Sequence, residues 1–226
     1  MKKQSISDDI YIKIKGSILD RRYNPGEHLV EAELIKDYNC SRATLRGVLR
    51  RLSDDGLTEH IPNKGILVRK LSLKEMLDIQ LVLQALEPLA ARLAAQVQSV
   101  QGIEQMKKIL HDYKESLEQN NFGQLNQLAV KFKLCIAESS DNVHLFKTIE
   151  QYYSMLLTNI GPSFDGNQFS TEDFLQLYQL YNEILSSIEL GKPEIASNLL
   201  YRHLELGIEK IKRTPSKFPL SDLTIK

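Results

Sequence analysis

Tryptophan is absent from this chain, and cysteine nearly so: 226 residues hold only Cys40 and Cys135. Two cysteines cannot build the disulfide framework of a small secreted fold. Neither belongs to a Cys-x-x-Cys pair or has a nearby histidine, so packing explains them better than nucleophilic chemistry. No apolar run approaches the roughly 18 residues that a membrane-spanning helix needs. The N-terminus, MKKQSISDDIYIKIKGS, is basic but lacks the apolar core of a signal peptide. A reduced, cytoplasmic setting is the expectation. Glycine-rich phosphate loops and Gly-x-Ser-x-Gly elbows are missing too, which argues against an enzyme. Finally, no charge excess exists. Twenty-nine Lys+Arg balance 29 Asp+Glu, with 42% hydrophobic and 26% charged residues. That mix excludes a mainly disordered chain.

The zero sum hides an asymmetry. Residues 1–70 hold 14 of the 29 basic and 10 of the 29 acidic side chains, leaving 15 and 19 for residues 71–226. A basic and an acidic half suggest that one of them meets a polyanion. Between Cys40 and Ser53 stand Arg42, Arg46, Arg50 and Arg51 with no acid among them. Charge alone favours reading this cluster as a solvated helix face.

Its neighbours change that reading. Ser7-Asp8-Asp9 can cap a first helix whose Ile10, Ile14 and Ile18 form an apolar stripe. Asn24-Pro25-Gly26 ends it with a turn. A short second helix runs from Glu31 to Tyr38. Ser41 then caps a third, from about Arg42 to Asp55, stopped by Gly56. Leu57 to Ile61 and Gly65 to Arg69 read as a hairpin around Pro62-Asn63-Lys64. On the third helix Leu45, Val48, Leu49 and Leu52 make one stripe, while Arg42, Arg46 and Arg50 make another, at i, i+4, i+8. Two helices, a tight turn, a basic helix and a basic hairpin make the winged helix-turn-helix plan. A major groove admits such a helix, and arginine bonds guanine edges or phosphates.

The stretch from Asn24 to Val68 resembles the N-terminal domain of the GntR family of bacterial transcription regulators. The matching residues are Pro25-Gly26-Glu27-His28-Leu29, then Ser41-Arg42-Ala43-Thr44-Leu45-Arg46-Gly47-Val48-Leu49-Arg50-Arg51-Leu52, then Gly56-Leu57 and Pro62-Asn63-Lys64-Gly65. Thr44 stands where the family has proline, as in its fatty-acid-responsive branch. Gly47 stands where the family has glutamate. The resemblance implies DNA contacts by Arg42, Thr44, Arg46 and Arg50, with Lys64 and Gly65 at the wing tip.

Residues 71–226 show helical periods and almost no strand alternation. Ser72-x-x-Glu75 is a capping-box pattern opening a helix toward Val97. Further helices are expected over about Ile103–Glu118, Phe122–Ser139, Val143–Thr158, Thr171–Leu190 and Pro193–Lys212, with a loop from Gly161 to Phe169. The expected fold is mainly α: a winged helix over 1–70, an all-α bundle over 71–213 and a flexible tail over 214–226. The bundle resembles the FCD effector domain through Leu86-Glu87-Pro88-Leu89-Ala90-Ala91-Arg92-Leu93-Ala94-Ala95, Ala137-Glu138-Ser139-Ser140-Asp141-Asn142 and Gly191-x-x-x-x-Ala196 leading to Arg202-His203-Leu204.

That resemblance implies a divalent metal held by an Asp and a His at i, i+4 plus two further His, a set suited to a borderline cation. Here Ala129 stands at the Asp position, Lys133 at the first His and Tyr181 at the second; His203 alone is retained. No metal and no other cofactor is therefore expected. Leu83 replaces an arginine that the family uses near acidic effectors. The effector pocket, placed at Leu83, Ala129, Lys133, Tyr181 and His203, is expected to differ from the small-carboxylate type. Tyr152, Tyr153, Tyr178, Tyr181 and Tyr201 are candidates to line it, although each taken singly reads more readily as a helix-packing residue with a solvated hydroxyl.

The resemblance implies a homodimeric, cytoplasmic regulator, with repression its commoner mode. It would bind a near-palindromic operator in double-stranded DNA and have that affinity altered by an unidentified small molecule. The alternatives are a metabolite-binding helical protein or enzyme with a vestigial winged helix, and a regulator that answers to no effector.

Overall fold

The computed structural model describes residues 5–160 and 170–213. The expected loop at Gly161–Phe169 and the tail from Thr214 lie outside the described residues. By internal contacts the chain divides into two units. One joins Met1–Ser72 with Ser154–Pro162, and the other joins Leu73–Tyr153 with Ser163–Lys226. Among the described residues no helix is long and apolar enough to cross a membrane.

The first unit opens with α1 (Ile6–Leu19), which starts ahead of its expected Ser7-Asp8-Asp9 cap. Ser5 is the N-cap: its hydroxyl accepts the Asp8 N–H at 3.2 Å, while the Asp8 carboxylate accepts from the Ser5 backbone N–H. This reciprocal box satisfies two orphan donors at once, which a cap at Ser7 would not do. The short α2 (Glu31–Asp37) and α3 (Arg42–Asp54) follow, and Gly56, at φ 72°, turns the chain out of α3. Then β1 (Thr58–Ile61) pairs antiparallel with β2 (Gly65–Val68), Thr58 opposite Val68 and Ile61 opposite Gly65.

Ile10, Ile14 and Ile18 of α1 meet Leu34 of α2 and Leu45, Val48, Leu49 and Leu52 of α3 in one apolar core closed by Leu29, Leu57 and Val68. The residues around Gly26–Leu29, expected only as a turn, also add to the free edge of β2. Gly26 N–H donates to Val68 O at 2.8 Å, Val68 N–H to Glu27 O at 2.9 Å, and Leu29 N–H to Ile66 O at 2.8 Å.

The end of α7 (Val143–Ile160) belongs to this same unit. The Asn159 side chain accepts from Leu71 N–H at 2.8 Å and donates to Arg69 O at 3.3 Å, while its backbone carbonyl accepts from Arg21 at 2.7 Å. The segment that leaves β2 is thus pinned by an asparagine some ninety residues later in the chain.

The second unit is helical: α4 (Leu73–Val97), α5 (Val100–Glu118), α6 (Phe122–Glu138), most of α7, α8 (Thr171–Glu189) and α9 (Pro193–Arg213). Helix α5 begins before its expected Ile103, because Ser99 caps it by accepting the Gly102 N–H at 3.2 Å. Ser170 and Asp173 form a capping box on α8. Helix α4 lies along α9, and α5 lies between α6 and α8. Ile79, Leu83, Phe132, Ile136, Ile184, Ile188, Leu200 and Leu204 are among the side chains buried between these helices.

Candidate nucleic-acid interface and buried polar cluster

Helix α3 is oriented by what it buries. Leu45, Val48, Leu49 and Leu52 are at most 1% exposed, which forces the other side of the helix into water. Ser41 holds the first turn: its hydroxyl accepts the Thr44 N–H at 3.1 Å and lies 2.8 Å from the Thr44 hydroxyl. Arg42, Arg46 and Arg50 are all exposed. Arg46 has one loose ion pair, its Nε 3.8 Å from Glu31 Oε2, with the arginine side chain 67% exposed. Such a pair contributes little and yields readily to a phosphate. Arg51 differs from the other three: it pairs with Asp8 at 2.8 Å and lies 4.3 Å from the Tyr11 ring centroid. It ties α3 to α1 and leaves the arginine stripe to its three neighbours.

The wing turn follows from its residues. Lys64 N–H donates to Ile61 O at 3.0 Å across Pro62 and Asn63, and Asn63 takes φ 64°. Proline then a residue of positive φ is what a type II turn asks for. Lys64 is exposed at the tip. Gly65 sits at φ 83°, and a Cβ there would meet His28 Nε2 at 2.6 Å. Glycine suits the backbone there, and any side chain would also have to displace the imidazole.

The second unit keeps its chemistry inside. Leu83 and Glu87 stand one turn apart on the core face of α4, at 0% and 1% exposure. The Tyr153 hydroxyl donates to Glu87 Oε1, whereas Oε2 is buried without a partner. Burial raises the Glu87 carboxyl above its ordinary range, opposed by the Lys133 charge and the Tyr153 hydrogen bond. Lys133, one turn beyond the buried Ala129 on α6, lies 4.9 Å from the Tyr153 ring centroid. Tyr181 is fully buried, its ring 4.5 Å from Phe132, 6.0 Å from His203 and 6.2 Å from Tyr113, and its hydroxyl has no partner. The His203 imidazole is pushed down to about 3, by burial first and by the Lys133 charge second.

The structure thus gathers Lys133, Tyr181 and His203, with Ala129 one turn below Lys133. These residues do not suit a divalent metal: one neutral imidazole faces a lysine and a phenol where an Asp and two His would be needed. Among the described residues no three of His, Cys, Asp and Glu gather as a metal set. Of the five tyrosines expected as lining, Tyr153 and Tyr181 are in the cluster. Tyr178 stacks on Tyr113 from a half-buried position, Tyr152 is half-buried, and Tyr201 is 44% exposed. Cys135 is buried, its thiol raised to about 11 by burial, and Cys40 packs partly buried against the first core. Cys135 lacks the exposure and the depressed pKa of a reactive thiol.

Sequence reasoning passed over Glu87 and Tyr113. Glu87 had a signal: one acid inside Leu86-Glu87-Pro88-Leu89-Ala90-Ala91, on the helical repeat of Ile79 and Leu83. An acid on an apolar stripe is worth marking, because burial without a partner is costly. Tyr113 had none, since a tyrosine on an apolar stripe looks like any other core aromatic.

Residues 6–68 match the GntR family of bacterial regulatory proteins, and residues 78–206 match the FCD domain. The chain is 22% identical over 214 residues to the HTH-type transcriptional repressor RspR of Escherichia coli (strain K12), covering 93% of this chain and 90% of that protein. It is 32% identical over 158 residues to the Nta operon transcriptional regulator of Aminobacter aminovorans, covering 70% of this chain and 75% of that one. Among solved structures it is similar to E. coli McbR/YncC, with a TM-score of 0.74 at 18% identity over 93% of this chain and 99% of that one, a likeness of fold. The mainly-α architecture expected from the sequence, a winged helix followed by a helical bundle, is the one the structure and the family matches show. With the arginine helix and wing on one unit and a helical bundle as the other, the chain belongs to the GntR family of helix-turn-helix transcription regulators and carries an FCD domain.

Proposed function

We propose that the first unit reads DNA through α3 and steadies itself through the wing. Arg42, Arg46 and Arg50 enter the major groove with Thr44, while Lys64 and the small Gly65 tip approach the backbone or minor groove. One observation carries this reading: three guanidiniums share an exposed stripe of a helix whose apolar stripe is fully buried. The core sets the direction of the arginines, so no ordering cost falls on the helix at binding.

Two copies bind a near-palindromic operator, since a two-fold protein reads two-fold DNA. Leu81 and Leu89, 48% and 43% exposed, bracket the exposed Ala85 at i, i+4, i+8 on α4 and offer an apolar strip for the second copy. The bundle binds a small organic effector without a metal or other cofactor, in the region of Leu83, Ala129, Lys133, Tyr181 and His203. An effector shifts operator affinity only as far as it prefers one arrangement of the dimer. The protein acts by binding, not catalysis, in the cytoplasm. Repression is the mode proposed, as in the name of the RspR relative.

The test is Arg46→Ala against an operator isolated by in vitro selection from a random duplex pool. If Arg46 reads a base, anisotropy should show specific binding weakened by about 1–3 kcal/mol, with less loss on non-specific DNA. Unaltered affinity would refute the recognition helix.

A further inference from the structure

The bundle holds two polar groups that its own fold leaves unanswered. Glu87 Oε2 and the Tyr181 hydroxyl are both buried without a hydrogen-bond partner, on residues that are 1% and 0% exposed. An unmet buried polar group costs on the order of 1–3 kcal/mol, and these two are close enough for the Glu87 charge to act on Tyr181. A cation stands with them. Lys133 lies against the Tyr153 ring, and its charge is felt at both Glu87 and His203. Tyr153 links the two ends of the cluster: its hydroxyl donates to Glu87 Oε1 while its ring faces Lys133.

An acid and a base held apart around a shared tyrosine, each with bonding capacity to spare, is a layout for a ligand carrying both charges. A dicarboxylate would set one carboxylate against Glu87. A diamine would set one ammonium against Lys133. A polyol could bond the free oxygens but brings no charge of its own to Lys133 or Glu87. A ligand with an ammonium near one end and a carboxylate near the other answers all of them.

We propose that Glu87, Lys133, Tyr181 and His203 bind a small zwitterion of the free amino acid type, its ammonium on Glu87 Oε2 and its carboxylate on Lys133 and the Tyr181 hydroxyl. The neutral imidazole of His203, edge-on to Tyr181, supplies one further hydrogen bond. This inference rests on reading the bundle as the effector domain and names the class of effector.

The experiment is a thermal-shift series on the full-length protein. The probes are the standard L-amino acids, with lactate and succinate as deaminated comparators, ethanolamine and putrescine as decarboxylated ones, and mannitol as the polyol. At saturating ligand, at least one amino acid should raise Tm by about 5 °C or more. Its comparators should not. Glu87→Gln and Lys133→Met should each abolish the response. Glu87→Gln keeps the shape while removing the ionisable carboxyl, and a cooperative melt without ligand establishes that each variant is folded.

A shift with succinate, lactate or mannitol that survives Glu87→Gln overturns the zwitterion assignment and leaves an effector domain of another specificity. No shift with any probe overturns both. Operator binding on the same samples, measured as above, tests the DNA reading separately.

Discussion

The two units treat charge in opposite ways. In the winged helix the core cluster is apolar, and three arginines of α3 stand in water on a separate stripe of the helix. In the bundle a carboxylate and a phenol are fully buried among leucines and aromatics, with a half-buried imidazole and a lysine beside them. Exposed charges cost the fold almost nothing and wait for a polyanion. Buried polar groups are expensive unless met, so they limit which residues the core can accept and which ligands it can take. The outside of one unit and the inside of the other are where function is to be sought.

The comparison breaks most visibly with pH. His203, held near 3, is neutral in the folded chain, while in the unfolded chain it takes a proton as pH falls through 6.5. Its contribution is therefore complete above pH 6.5 and is lost progressively as pH falls toward 3. Between about pH 7.5 and pH 5.0 the loss should be about 2 kcal/mol. Glu87 works the other way: its raised carboxyl accepts a proton sooner in the folded state, so its own contribution improves as pH falls. Urea unfolding of wild type and His203→Gln at the two pH values separates them. The variant should lose most of the pH sensitivity, and equal losses in both proteins would show that the imidazole is not held neutral by the bundle.

Gly65→Ala sharpens the other side. A side chain there adopts φ 83° and meets His28, which should lower stability by about 1–2 kcal/mol, read as a lower urea midpoint. Operator affinity should fall with it, while the thermal response to a bundle ligand stays as in wild type. If the ligand response falls equally, the two units do not divide the work as described.

Gly47→Ala has the smallest expected effect and the opposite sign. Gly47 is exposed inside α3, and a Cβ there meets nothing within 4 Å. Alanine should stabilise the protein by about 0.5–1 kcal/mol through the unfolded state. Thermal melts check this, and a destabilised variant would mean that α3 at Gly47 is not the regular helix it looks.

How much could be read in advance differs between the units. Helix α3, its Ser41 cap and the Gly65 wing were legible because each is set by neighbours a few residues away. The start of α1 was misplaced by two residues because Ser5 and Ser7 are both competent caps, and only the reciprocal bond with Asp8 decides between them. The role of Arg51 was hidden for a different reason. It shares a basic run with Arg50, yet its partners Asp8 and Tyr11 lie some forty residues back. In the bundle, Lys133, Tyr181 and His203 could be named only by resemblance, and Glu87 stayed in the motif that contains it.

By itself the sequence determined the periods, caps and turns: which residues form helices, where the hairpin bends, and which stripe of α3 is apolar. These are local consequences of backbone sterics and of side chains three or four residues apart. Tertiary structure alone decided which polar groups find partners far along the chain. It bound Asn159 to Arg69 and Leu71, set Tyr153 against both Glu87 and Lys133, and left one oxygen each of Glu87 and Tyr181 unmet. Burial and pairing depend on residues tens of positions apart brought within a few ångströms, and no local pattern records that.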